Sequence, residues 1–228
     1  MRIPQELANI PLFEGLSEEQ YDELAAIVLD KVFHPGQTIF SEGDDGDGFY
    51  VVVAGRVKIF KLSLEGKEQI LHIFGAGEPF GEVPVFAGQR FPANAEALDD
   101  CRLFFFPRNA FVELIKRNPS LALNMLAVLS RRLRQFTQLI EDLSLKEVPG
   151  RLAAYLLYLS HQQGGTDEVK LDIPKNLLAS LLGTIPETLS RILAKMIRQG
   201  LIEAEGPRIR IIDRPGLHDL AVAARRLS

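Results

Sequence analysis

The side chains best suited to chemistry on a partner stand between residues 174 and 212. Glu187, Ser190 and Arg191 lie three and four residues apart, a spacing that gathers them on one face of a helix. The Arg191 guanidinium can donate two hydrogen bonds to guanine O6 and N7. The Glu187 carboxylate can accept from cytosine N4, and Ser190 can meet a base edge or a phosphate. Thr184 just ahead, and Lys195 and Arg198 further along, suit backbone phosphates, as do Arg208 and Arg210, which alternate along a following strand. Ile185, Leu189, Ile192, Leu193 and Met196 make the expected buried face of the same helix. That spacing also serves a helical hairpin whose polar face meets only water.

The elements that must hold these residues are legible nearby. Pro174 opens a helix through KNLLASLLG, which Gly183 stops. Pro186 opens a second helix that ends before Gly200, and LIEAEGPRIRIID reads as a hairpin. Ahead of them lie the helical segment RLAAYLLYLSHQQ, closed by Gly164-Gly165, and a short alternating strand at Val169–Ile173. The order helix, Gly-containing turn, helix, hairpin is that of a winged helix-turn-helix.

Upstream, Asn118-Pro119-Ser120 starts a long helix. Ala122, Leu126, Leu129, Leu133, Phe136, Ile140 and Leu143 follow at spacings of 4, 3, 4, 3, 4 and 3. This a/d seam is best covered by a second copy of itself, which predicts a homodimer; a core helix of a monomer is the alternative. Arg131, Arg132 and Arg134 are read as its charged surface, and KEVPG at 146–150 as a hinge.

In the N-terminal half the periodicity is different. Ser17 and Gln20 form a capping-box pattern before Tyr21, Leu24, Ile27 and Val28. Short β-rich runs follow (TIF, FYVVVAG, VKIFKL, QILHIF, RLFFF), broken by Gly- and Asp-containing turns, which predicts a roll or sandwich rather than a parallel α/β sheet. The expected architecture is α+β: an N-terminal effector-sensing β-roll with flanking helices (1–116), a long dimerisation helix (117–146) and a C-terminal winged helix-turn-helix (147–228).

Charge agrees with a division of labour. Of 228 residues, 26 are Lys or Arg and 30 Asp or Glu, so the whole chain is mildly acidic at −4. Residues 1–143 carry 14 basic and 21 acidic side chains, and residues 144–228 carry 12 and 9. An acidic module followed by a basic one suits a sensor joined to a DNA binder. A single cysteine, Cys101, excludes an intrachain disulfide or a four-cysteine cluster and fits a reducing compartment. No signal peptide or uninterrupted spanning stretch is read, so the expected location is the cytoplasm, with no membrane partner.

With these residues assembled, the sequence resembles the CRP/FNR superfamily of bacterial transcription regulators over nearly its whole length. HPGQTIFSEGDDGDGFYVVVAGRVKIF is similar to the opening strands of the cyclic-nucleotide-binding fold, a jelly-roll β-roll, with Gly36, Gly43 and Gly55 at its turns. FGEVPVFAG is similar to the start of its ligand cassette. PETLSRIL resembles the E-x-x-S-R recognition pattern of the FNR branch and carries Glu187, Ser190 and Arg191 with it. The resemblance implies pseudo-palindromic double-stranded operator DNA with TTGAT-like half-sites and, for an activator, RNA polymerase as a further partner.

Two departures bear on the effector. Where cyclic-nucleotide-binding members finish the cassette with Arg-Ser, this chain has Phe91-Pro92, with Arg90 one residue out of register. Phe and Pro offer a phosphate neither charge nor hydroxyl, so cyclic AMP is not the expected ligand. The N-terminal cysteine cluster of iron–sulfur members is absent as well. What remains resembles the DNR-like and HcpR-like regulators of denitrification and nitrosative stress, which implies nitric oxide sensing through haem. His34 and His72 are the leading axial candidates, with His161, Met125 and Cys101 behind them. The expected effector pocket comprises Phe80, Glu82, Phe91, Leu126 and Leu129. Two alternatives stand beside this reading: a regulator of the same family responding to another small molecule, and a constitutive DNA-binding dimer whose roll is filled by Phe86, Phe91, Phe104, Phe105 and Phe106. An enzyme is not expected, because the roll lacks a two-His/one-carboxylate spacing, a nucleophile elbow and a phosphate-binding glycine loop.

Overall fold

The computed structural model describes residues 3–222; residues 1–2 and 223–228, the tips of the two outer expected segments, lie outside the described residues. The chain forms two compact units, one ending at Leu133 and the other beginning at Arg134.

In the first unit α1 (Ile3–Leu7) and a 3₁₀ turn (Pro11–Phe13) precede α2 (Glu18–Ile27). The capping box at its head is formed: the Gln20 N–H donates to Ser17 Oγ at 3.3 Å, and the Ser17 N–H donates to Gln20 Oε1 at 2.8 Å. Strands β1 (Leu29–Phe33), β2 (Thr38–Phe40), β3 (Gly48–Ala54), β4 (Val57–Leu62), β5 (Glu68–Phe74) and β6 (Pro79–Phe80) follow. Then come α3 (Val83–Ala87), β7 (Asn94–Ala97), β8 (Cys101–Pro107) and α4 (Arg108–Arg117). Two four-stranded antiparallel sheets result, in the orders β1-β8-β3-β6 and β2-β7-β4-β5. Gly36, Gly43 and Gly55 all hold positive φ, as turn glycines do.

Strand β8 shows why Phe104-Phe105-Phe106 stand in a row. Its sheet is covered on both faces. Leu103 and Phe105 turn inward to the space between the sheets with Phe40, Tyr50, Val52, Phe74, Phe80 and Phe91. Phe104 and Phe106 turn outward, onto a helical layer built from Leu7, Phe13, Leu24, Phe111, Leu114, Leu121 and Met125. Strands β1, β6 and β7 escape sequence reading. The β7 segment NAEA has low β propensity, yet it is paired by β2 and β4 on both sides. Its Ala95 and Ala97 are fully buried in the cluster that holds the aromatic filling.

The long helix α5 runs from Ser120 to Leu145. Its start is fixed by polar contacts within the first unit: Gln20 Nε2 donates to Asn118 Oδ1 at 2.7 Å, and Asn118 Nδ2 donates to Glu23 Oε2 at 3.0 Å. In the second unit α6 (Val148–Gln162), β9 (Glu168–Lys170), α7 (Lys175–Leu181), α8 (Pro186–Arg198), β10 (Ile202–Glu205), β11 (Arg208–Ile211) and α9 (Arg214–Val222) form three helices around a small sheet of order β10-β11-β9, closed by α9.

Two expectations are corrected here. Only Lys146 and Glu147 interrupt the helices, since Val148, Pro149 and Gly150 form the first turn of α6, where a proline lacks no needed N–H. The strand expected over Val169–Ile173 is confined to Glu168–Lys170, because the chain turns toward Pro174, which caps α7.

Candidate functional site

Helices α7 and α8 meet at 96°, an angle typical of helix-turn-helix units. Gly183 turns the chain at φ +67°, left-handed backbone that favours glycine, and the Thr184 N–H closes the turn on Ala179 O at 2.9 Å. Pro186 then occupies the first turn of α8. Leu189, Leu193 and Met196 are buried as expected, and Ile192 is half-buried. Ile185 is not part of that face. It is the cap residue, outside the helix, and is 49% exposed.

Glu187, Ser190 and Arg191 are all exposed, on one stripe of α8, and Arg198 is exposed near its end. Arg191 Nη2 donates to Thr188 Oγ1, one turn back, at 3.2 Å. Thr184 and Lys195 are half-buried, whereas Arg198 is exposed.

The hairpin is electrostatically different from its sequence reading. Register sets Arg210 opposite Glu203 and Arg208 opposite Glu205, with β9 supplying Glu168 on the other side. Arg210 Nη1 lies 3.5 Å from Glu203 and Arg208 Nη1 lies 3.9 Å from Glu168. The two arginines thus line a shallow cleft with three glutamates, Glu168, Glu203 and Glu205. Alternation along one strand shows the cations; only the register shows the anions that face them.

Between the sheets of the roll, aromatic rings occupy the centre. Phe91 stacks on Phe40 with centroids 3.7 Å apart and planes within 6°. Phe80 meets Phe40, Tyr50 and Phe74 at 5.3 to 6.1 Å. Gly81, at φ +74°, passes so close that an added Cβ would lie 3.1 Å from Phe40 and 3.2 Å from Phe91. Arg90 is at the surface, its Nε 3.0 Å from Asp45.

Of the five expected effector-pocket residues, Phe80 and Phe91 belong to this cluster, and Glu82 is buried close by, at the head of α3. Leu126 and Leu129 lie apart from this cluster in the single chain. Leu126 is 58% exposed, and Leu129 packs on the outer, helical layer. The α5 residue that reaches Glu82 is Arg132, read from sequence as surface charge. Its guanidinium donates to the Glu82 carboxylate and to Pro79 O, and lies 4.7 Å over the Phe74 ring. The sequence held a signal for this. Leu121, Met125, Val128 and Arg132 repeat at 4, 3 and 4, a second stripe beside the seam.

The seam itself divides. Leu126, Leu133 and Ile140, seven residues apart, are 58%, 69% and 65% exposed, whereas Ala122, Leu129, Phe136 and Leu143 are half-buried. The filling of the roll divides too: Phe91 and Phe105 are inside, Phe104 and Phe106 belong to the outer layer, and Phe86 is 44% exposed.

The donors weighed for haem are scattered. His34 Nδ1 sits 2.9 Å from Asp100 at the surface, and His72 Nε2 sits 3.6 Å from Glu78. Burial works to raise the Glu78 pKa, but hydrogen bonds from His72 and the Gly75 N–H, with the charges of His72 and Arg132, hold it below its ordinary value. Met125 is buried in the outer layer, His161 is exposed in the second unit, and the Cys101 thiol faces Arg56 O at 3.1 Å. Burial pushes that thiol's pKa up. Each of these groups has neighbours of its own, and none is paired with another of the set among the described residues. Among the described residues no cluster of three His, Cys, Asp or Glu side chains could hold a metal ion. Among them, too, no single helix is long and apolar enough to cross a membrane.

Comparison with known proteins assigns both halves. Residues 30–118 match the cyclic nucleotide-binding domain family, and residues 150–220 match the Crp-like helix-turn-helix domain family. The chain is 32% identical over 211 residues to a CRP-like cAMP-activated global transcriptional regulator of Mycobacterium tuberculosis, covering 91% of this chain and 94% of that one. It is 33% identical over 211 residues to the cyclic AMP receptor protein of Thermus thermophilus, covering 92% and 96%. The structure of FixK2 from Bradyrhizobium japonicum shares the fold, with a TM-score of 0.74 at 24% identity, over 87% of this chain and all of that one.

Proposed function

The chain belongs to the CRP/FNR superfamily of transcription regulators, and from that premise we propose that it acts as a homodimer on pseudo-palindromic operator DNA in response to a small-molecule effector. The exposed stripe of Glu187, Ser190 and Arg191 on α8 carries the reading. A two-fold dimer would present two such stripes to successive major grooves, and base-edge donors and acceptors would select the half-site. Thr184, Lys195 and Arg198 are assigned to phosphates. Binding of the intact chain to a duplex with two inverted TTGAT half-sites tests this. Arg191→Ala should lose about 1–3 kcal/mol on that site and little on random DNA. Equal losses on both would remove Arg191 from base reading.

The effector is proposed to be a small molecule other than a cyclic nucleotide. Both relatives named above carry cyclic AMP in their names, but this chain departs from a phosphate site at the decisive place. Phe91 fills the interior against Phe40, and Arg90 is turned out to Asp45. The narrower reading, nitric oxide sensed through haem in nitrosative-stress control, has no support from the relatives compared or from the placement of His34 and His72. An effector that displaced Arg132 or the Phe91 ring would bias α5, and so shift the balance between DNA-competent and incompetent dimers. As a regulator's location follows its operator, the cytoplasm is the proposed compartment, and RNA polymerase the further partner of an activator.

A further inference from the structure

Arg151 stands on the first turn of α6 and spends its guanidinium on main-chain carbonyls from two helix ends. Nε donates to Asp142 O at 3.1 Å and to Lys146 O at 2.9 Å, and Nη2 donates to Leu143 O at 2.9 Å. Asp142 and Leu143 belong to the last turn of α5, where carbonyls run short of intrahelical partners, although Asp142 O also accepts the Lys146 N–H at 3.1 Å. Nη1 reaches the other way, to Leu182 O at 2.8 Å. Leu182 is the C-cap of α7 and stands three residues before Ile185, the cap of α8.

The arrangement needs the fork of an arginine. Five N–H donors fixed in one plane can serve carbonyls on opposite sides, whereas a lysine has all its donors on one nitrogen. The positive charge is met by the negative C-terminal ends of two helix dipoles. The Asp142 carboxylate adds to this, though it is itself paired with Lys146 at 2.8 Å. A cleft of about 450 Å³ lies between the Lys146–Pro149 segment and Thr188 and Ile192 of α8.

We propose that Arg151 is a positioning residue for DNA reading: it locks the turn ahead of α8 to the end of α5, and so fixes the separation at which a dimer presents its two recognition helices. This rests on the dimeric operator-binding reading given above. Half-site separation follows from the distance between paired recognition helices, so a slack tether should blur spacing rather than base preference.

The test uses the full chain, with duplexes carrying two inverted TTGAT half-sites at the preferred spacing and at one base pair more or less, and a duplex with a single half-site. The unaltered chain should prefer its best spacing by at least about tenfold. Arg151→Gln should reduce that preference to less than about threefold while single half-site affinity stays within about twofold. Arg151→Lys, which keeps the charge and loses the fork, should behave as Arg151→Gln does. Retained spacing preference in either variant, whatever its thermal stability, overturns the positioning role. Lack of any spacing preference in the unaltered chain overturns instead the dimeric reading on which the role rests.

Discussion

Arg132, near the middle of the long helix, donates its guanidinium to the carboxylate of Glu82 at the head of α3, and both side chains are about nine-tenths buried. The pair joins α5 to the segment that, in a cyclic-nucleotide-binding roll, would begin the ligand cassette. A second acceptor, Pro79 O, and the face of Phe74 complete the surroundings of the guanidinium.

Removing one partner should strand the other charge in a poorly solvated place. Arg132→Met is expected to destabilise the unit that contains it by about 3–5 kcal/mol. The double variant Glu82→Gln/Arg132→Met should recover more than half of that loss. Urea unfolding of the four members of the cycle reads the coupling. Additive losses would mean that the pair contributes nothing of its own.

Cyclic AMP should leave the unaltered chain indifferent. A ligand bound with a Kd of about 10 μM and supplied at about 1 mM raises unfolding free energy by about 2.7 kcal/mol, which a thermal melt detects easily. No shift is expected, because Phe91 and Arg90 offer no cradle for a phosphate between the sheets. A clear upward shift would show that the Phe40–Phe91 stack opens to admit the nucleotide.

What the sequence made legible was periodic or punctuated. The Ser17–Gln20 cap, the α7-turn-α8 unit and strands β2 to β5 follow from spacing and turn glycines, and Glu187, Ser190 and Arg191 emerge on one exposed face as a helical repeat requires. Pairings across the chain left no such trace. Glu168, Glu203 and Glu205 come to the wing arginines only through strand register, and Arg132 meets Glu82 fifty residues away. Strand β7 is held by its neighbours rather than by its own propensities, so NAEA gives no local signal. Leu129 packs on the helical layer beside Met125 and Val128, because the seam and the second stripe run side by side on α5, and one periodicity cannot separate two faces.

The wing arginines should contribute little to the salt dependence of DNA binding. Each phosphate neutralised by a free cation adds about 0.9 to the slope of log affinity against log salt. Arg208 and Arg210 already face glutamates, so Arg208→Ala or Arg210→Ala should lower that slope by well under one, and Arg198→Ala should lower it by nearly one. Glu203→Gln should raise affinity most at low salt. A full unit lost with Arg210→Ala would mean that the glutamates are displaced on binding.

Acid should loosen the first unit through three carboxyls. Hydrogen bonds from Arg102 hold the Glu6 pKa below its ordinary value, and hydrogen bonds from Arg56 do the same for Asp99. Glu78 is also lowered, against the effect of burial, by His72 and the Gly75 N–H. A carboxyl lowered in the folded chain stabilises it above its unfolded value and loses that contribution as pH falls through the folded one. Urea midpoints should therefore hold from pH 7 to about pH 5 and fall steeply below about pH 4. Arg102→Gln should lower the plateau and flatten the acid limb; an unchanged acid limb would take Glu6 out of the account.

Leu126, Leu133 and Ile140 present apolar side chains to solvent at seven-residue intervals, which a helix of 26 residues can afford only if another surface covers them. A second α5 is the self-complementary solution under two-fold symmetry. Leu126→Glu and Ile140→Glu would each set like charges against each other across such an axis. Both should shift the chain from dimer to monomer in sedimentation at micromolar concentration. The same variants should lose most of their affinity for the two-half-site duplex, because a monomer cannot gain from the second half-site, while single half-site binding stays within about twofold. The paired readout separates this from misfolding, which would abolish both. A chain carrying Ile140→Glu that stayed dimeric would exclude the second half of α5 from the interface and leave its exposed apolar stripe to a different partner.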